Sequence, residues 1–138
     1  MNFRCLVFLA LAFCIGPSLA QPASPQQQVS VEFSLVPPAG KGSESRGNIK
    51  GRVLGLESPQ KYKIVLYAHT DRWYVQPLES DHYTDLDAGG NWANWTHLGD
   101  MYAAVVVRPS FEPDPRPLAL PPVGGDVIAR GQVPASGK

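Results

Sequence analysis

The stretch "PSFEPDPRPLALPP", Pro109 to Pro122, carries six prolines in fourteen residues. Each proline fixes φ and removes an amide donor, so this segment is neither a helix nor a central strand, and an extended, PPII-like crossover is expected. The run before it, "MYAAVVVRP", is almost continuously apolar and rich in valine. That pattern predicts a central strand buried on both faces. Further upstream, "VSVEFSLV" alternates Val29, Val31, Phe33 and Leu35 with polar residues, and "NIKGRVLGL" alternates Ile49, Gly51, Val53 and Gly55 against Lys50, Arg52, Leu54 and Leu56. In "KYKIVLYAHT", Ile64, Leu66 and Ala68 form one face and Lys63, Val65, Tyr67 and His69 the other. "DVIARGQV" adds an edge strand near the end. No window after residue 20 carries a capped apolar stripe at helical spacing, so the chain is read as all-β, a sandwich or barrel of short strands with Gly and Pro turns.

The N-terminus has a different character. A basic start ending at Arg4, an apolar run from Cys5 to Gly16 and small residues at Ser18 and Ala20 predict a secretory signal peptide over 1–20. The apolar run falls well short of the ~20 residues that span a bilayer as a helix, so no stable membrane insertion is expected after cleavage. A lipoprotein signal competes for the same segment through Cys14, although bulky Phe13 stands where such signals hold a small residue. Residues 21–28, "QPASPQQQ", read as a disordered lead, and 29–138 as one β-sandwich domain containing the crossover at 109–122. Both cysteines, Cys5 and Cys14, fall inside the signal, which leaves the mature chain without a disulfide, thiol nucleophile or thiolate metal site. Acidic and basic residues interleave at near balance, unlike a nucleic-acid footprint. The expected location is secreted or periplasmic.

"HTDRWYVQP" concentrates aromatic and polar side chains. A two-residue hairpin loop at Asp71-Arg72 would set Thr70 opposite Trp73, His69 opposite Tyr74, Ala68 opposite Val75 and Tyr67 opposite Gln76. Trp73 and Val75 then extend the Ile64, Leu66, Ala68 core face, while Tyr67, His69, Tyr74 and Gln76 gather on the other. Downstream, Asp85, Asp87, Gly89, Gly90 and Asn91 predict a turn, with Trp92 near the start of a hairpin's second strand. Trp92 and Trp95 are three apart and point to opposite faces of a strand, so Trp95 is expected outside the core when Trp92 packs inward.

Aromatic rings on a strand face, with hydrogen-bonding side chains beside them, suit a sugar: its C–H faces stack on the ring while amides and imidazoles meet its hydroxyls. Tyr67, His69, Tyr74, Gln76 and Trp95 are therefore the candidate ligand-binding residues. The D-x-D spacing at Asp85 and Asp87 lacks the further ligands of a calcium loop, and the three histidines show no zinc-ligand spacing. No G-x-S-x-G or other nucleophile motif is present, so no catalytic residue and no cofactor is expected. Asn94-Trp95-Thr96 matches the N-glycosylation pattern.

Taken in order, "GRVLG", "YKIVLYA", "TDLDAGGNW" and "HLGDMYAAVVVRPSF" resemble prealbumin-like, carboxypeptidase-regulatory-type β-sandwich domains, in which a G-x-V-x-G strand, a V-x-V-Y strand, a T-D-x-D-G-x-aromatic turn and an L-x-G-x-Y strand follow one another. The resemblance covers about residues 47–111, and Ala88-Gly89 is inserted relative to the tight D-G form. It is also similar to small exported bacterial domains found alone or beside glycan-active enzymes. It implies a single antiparallel sandwich of the immunoglobulin/prealbumin kind and a non-catalytic accessory domain, with no binding residue carried over. Two expectations follow: a module that binds an extracellular glycan through exposed aromatics, or a structural or protein-interaction module in which those aromatics are buried in the core or at a partner interface.

Overall fold

The computed structural model describes Gly16 and residues 28–137. The rest of the expected signal peptide with Cys14, the lead at 21–27, and Lys138 lie outside the described residues. Eight strands follow in order: β1 (Ser30–Leu35), β2 (Arg46–Leu54), β3 (Lys63–His69), β4 (Trp73–Gln76), β5 (Thr84–Asp85), β6 (Asn91–His97), β7 (Met101–Val107) and β8 (Val127–Pro134). A short 3-10 turn, Pro59–Lys61, lies between β2 and β3. The strands form two antiparallel sheets, β1-β2-β6 and β4-β3-β7-β8, with β5 on the same edge of β3 as β4. This is a β-sandwich.

Period-two patterning accounts for the inner layer. Ile49 and Val53 of β2 and Trp92 of β6 face Ile64, Leu66 and Ala68 of β3 and Tyr102, Ala104 and Val106 of β7. Glycine at position 51 makes room for Trp92: a methyl there would lie 2.3 Å from the indole Cζ2. Phe33 then meets Trp92 edge-on, with ring centroids 5.6 Å apart.

The larger sheet is buried on its other face as well, which antiparallel sheets often leave wet. Val65 and Tyr67 of β3, Trp73 and Val75 of β4, and Ala103, Val105 and Val107 of β7 form a second apolar layer, covered by Phe111 and Leu120 of the proline-rich segment. That segment contains no strand, as its prolines demand, yet Pro117 and Pro115 accept hydrogen bonds from the Trp73 and Val75 amides at 3.2 and 3.0 Å. A donor-poor chain presenting carbonyls to a strand edge satisfies that edge and ends the sheet.

Two expectations are corrected. The β3–β4 loop has three residues, Thr70 to Arg72, and pairs His69 with Trp73, Ala68 with Tyr74, Tyr67 with Val75 and Leu66 with Gln76. Asp-Arg is poorly suited to the positive φ values of a two-residue hairpin, and no residue other than glycine has positive φ among those described. The loop instead ties itself through Thr70 Oγ1 and Tyr74 OH, both donating to Asp71 Oδ1. A slip of one residue moves every β4 side chain to the opposite face. Trp73 is buried as expected, at 8 % exposure, but it joins Tyr67 beneath the crossover rather than the layer between the sheets.

The second correction concerns the turn before β6. β5 pairs with β3, whereas β6 pairs with β2, so Asp85 to Asn91 forms an arch between sheets rather than a hairpin. Asp87 Oδ1 accepts from the Gly89 and Asn91 amides at 2.9 and 2.8 Å, and Gly90, at φ 81°, turns beneath the Val53 carbonyl.

Candidate functional site

The two sides of the sandwich differ. On one side β1 and β8 pack together and close the layer. On the other, β4 and β6 diverge, and a cleft of about 400 Å³ opens between them. Tyr74, Gln76 and Leu78 line one wall, His97 and Leu98 the other, with Ser43 at the rim and Ala68 below. The one-residue slip of β4 is what aims Tyr74 and Gln76 into this gap.

Gln76 fastens the cleft across the sheets. It is 3 % exposed, and its Oε1 accepts from the His97 backbone N–H and from His97 Nδ1–H, each at 2.9 Å. An acceptor facing Nδ1 holds the imidazole proton on that nitrogen. The Gln76 amide nitrogen donates to the Tyr74 carbonyl at 3.3 Å. Tyr74 is half-buried, and its hydroxyl donates to Asp71 at 2.9 Å. That bond holds the Asp71 carboxyl below the usual carboxylate range and raises the Tyr74 phenol. The ring is fixed at the mouth of the cleft.

The free edge of β6 beside the cleft is capped by side chains. The Asn91 amide goes to Asp87, the Trp95 amide to Asn94 Oδ1 at 2.8 Å and the His97 amide to Gln76. With two β4 amides taken by the proline carbonyls and three β6 amides by side chains, neither edge offers an uninterrupted ladder for adding a partner strand. Side chains, rather than backbone, are left to recognise a ligand.

The five candidate residues fall in four places. Tyr74 and Gln76 share the cleft. Tyr67 is 1 % exposed beneath the crossover, where burial, followed by the nearby Asp114 carboxylate, pushes its phenol well above the usual value. His69 sits at the end of β3 on the Trp73 side, with ring centroids 5.0 Å apart, and its Nδ1 meets Asp100 Oδ1 at 2.8 Å. Trp95 lies half-buried on the outer face of the smaller sheet, as the spacing from inward Trp92 required. The Arg46 guanidinium stacks over the indole at 4.6 Å, and His97 meets it edge-on at 5.2 Å. Sequence reasoning missed His97 and Arg46. Their signal was present: His97 shares Trp95's strand parity, and Arg46, Asn48, Lys50 and Arg52 occupy alternate positions.

The His69–Asp100 pair orients an imidazole, but no hydroxyl or thiol is hydrogen-bonded to its other nitrogen among the described residues. Nor do three His, Asp or Glu side chains converge to hold a metal among the described residues. Asn94 of the glycosylation pattern donates to Thr84 Oγ1 at 2.9 Å, and Thr96 is buried, so the folded chain does not present that motif. No family model, curated protein or solved structure matches the chain.

Proposed function

We propose that this chain is an exported, non-catalytic β-sandwich binding module of the prealbumin-like kind, taking part of an extracellular glycan in the cleft between β4 and β6. One observation carries this reading: an open cleft in which a fixed Tyr74 ring and the Gln76–His97 polar pair lie together on strands whose edges are already capped. Rigid placement lowers the ordering cost of binding. Leu78 and Leu98 supply apolar wall; the His97 imidazole Nε2, which has no partner among the described residues, and the Ser43 oxygen, whose hydroxyl donates to Glu44 at 3.4 Å, can meet sugar hydroxyls. Export rests on the signal-like first twenty residues.

The alternative, a structural or protein-interaction module, is favoured by Tyr67 and Trp73, which the crossover buries as core. Calorimetric titration with soluble neutral glycans, alongside amide chemical-shift mapping, separates the two. The glycan reading expects shifts at Tyr74, Leu78, His97 and Leu98, and a loss of about tenfold or more in affinity on Tyr74→Ala with little change in melting temperature. Absence of glycan-dependent shifts, together with a loss of several kcal/mol in stability from Tyr74→Ala, would favour the structural module.

A further inference from the structure

The smaller sheet has an outer face that no other segment of the described chain covers. Two rows of alternate residues line it: Arg46, Asn48 and Lys50 on β2, opposite His97, Trp95 and Ala93 on β6. No carboxylate lies within ion-pair distance of Arg46 or Lys50 among the described residues. Arg52, one position further along, is partly engaged, since its Nε donates to the Gly89 carbonyl at 3.1 Å and Glu32 is its neighbour on β1. Asp85 and Asp87 line a depression shared with Lys50 and Ala93 without pairing Lys50, so two cations free of an ion pair, Arg46 and Lys50, stand on either side of Trp95.

The geometry points to a second site, on this face, for a carboxylate-bearing polysaccharide such as a polyuronate. Arg46 and His97 form the rung on one side of Trp95, and Arg46 occupies one face of the indole. The opposite rung is Lys50 with Ala93, whose methyl leaves the space above the strand open. A sugar ring stacked on the free side of the indole lies over Ala93, with its carboxylate within reach of Lys50 and its hydroxyls near Asn48. Stacking on Trp95 also holds the Arg46 guanidinium in place, leaving N–H groups to grip the carboxylate of a neighbouring sugar in bidentate fashion. Arg46 and Lys50 are four residues apart on one strand, about 13 Å, which suits successive charges on a linear polymer better than a single small anion. A flat two-strand face with a central ring favours a polysaccharide over an acidic peptide, which has no ring to stack.

This site shares His97 with the cleft, but its cations and ring, Lys50, Arg46 and Trp95, line no wall of it, so each reading can fail alone. The test is affinity electrophoresis and calorimetry of the folded chain with polygalacturonate, a neutral glucan, polyglutamate and single-stranded DNA, for the parent and for Lys50→Gln, Arg46→Gln, Trp95→Ala, Tyr74→Ala and Lys61→Gln. The expected result is salt-sensitive binding to polygalacturonate in preference to polyglutamate and DNA. Lys50→Gln, Arg46→Gln and Trp95→Ala should each weaken it about tenfold, and Lys61→Gln, which removes a cation elsewhere, should not. Lys50→Gln touches no packed side chain and guards against misfolding of the tryptophan variant. Absence of polygalacturonate binding overturns the proposal, as does equal retention on all three polyanions without loss in Trp95→Ala. Loss in Tyr74→Ala with Lys50→Gln unaffected also overturns it, while sustaining the cleft. Polygalacturonate binding lost only in the face variants, with no cleft response to any sugar, sustains the face and sinks the cleft.

Discussion

Replacing Gly51 by alanine should unfold more of this protein than any other single added methyl group in the sheet interior. The Cβ would lie 2.1 Å from the Glu32 carbonyl oxygen on β1 and 2.3 Å from Trp92 Cζ2 on β6. Ordinary contacts sit at about 3.5–4.0 Å, so both neighbours must retreat by more than an ångström. One is backbone in a paired strand, and the other is a tryptophan 3 % exposed and braced by Phe33. Neither has a flexible end to swing aside. Mild overpacking costs about 1–3 kcal/mol, whereas expelling a buried tryptophan approaches the ~3–5 kcal/mol of truncating it. The second range applies, because relief requires Trp92 to leave its slot. Against a domain stability of roughly 5–15 kcal/mol, that lowers the melting temperature by on the order of 15 °C. Urea unfolding followed by tryptophan fluorescence, with near-ultraviolet circular dichroism for Trp92 packing, measures it. Gly89→Ala is the control: its nearest contacts are side-chain atoms at 3.1 and 3.4 Å, its φ is not positive, and the change should stay within about 1 kcal/mol. A Gly51→Ala protein as stable as that control would refute the close packing of β1, β2 and β6 described above.

Two further expectations concern hydrogen bonds. Tyr102, fully buried, donates its hydroxyl to the Pro38 carbonyl at 2.8 Å and accepts from the Gly99 amide at 3.1 Å, so Tyr102→Phe should cost about 1–3 kcal/mol in a denaturant titration by stranding both groups. Asp87 is held below its usual 3.8 first by the Asn91 amide and then by the Asn91 side chain. A carboxyl whose folded value is depressed stabilises the fold above its unfolded pKa, and that contribution disappears as pH falls through the folded value. Asp87→Asn should therefore lower the melting temperature near neutral pH, with the gap closing below the folded value. A gap of equal size at every pH would contradict the arch geometry.

The strands were legible because each is governed by a local rule. Alternation in β1 and β2, the valine run of β7 and the inward face of β3 all follow from which residues avoid water, and the proline-rich segment could be extended chain and nothing else. Pairing across the arch was less legible. The Asp85 to Asn91 stretch has turn chemistry in either a hairpin or an arch, and its residues do not encode whether β6 returns to β3 or crosses to β2. That choice depends on where Trp92 finds a slot, and the slot is Gly51, some forty residues earlier in the chain.

The candidate site depended on a finer matter, one residue of loop length. With two residues between β3 and β4, Tyr67, His69, Tyr74 and Gln76 would have formed a single surface. With three, the same sequence divides them: Tyr67 goes beneath the crossover, and Tyr74 and Gln76 turn toward β6. The crossover reinforces the division. Its carbonyls meet the Trp73 and Val75 amides, which point outward along the sheet edge, and its Leu120 covers the side on which Trp73 and Val75 now lie. In the two-residue register, Tyr74 and Gln76 would lie beneath that cover, and Gln76 would lose the His97 amide that it now satisfies. The longer loop, the proline-rich cover and the Gln76 bridge are thus mutually consistent and favour one register, and that register leaves an open polar cleft on the β4–β6 side of the sandwich.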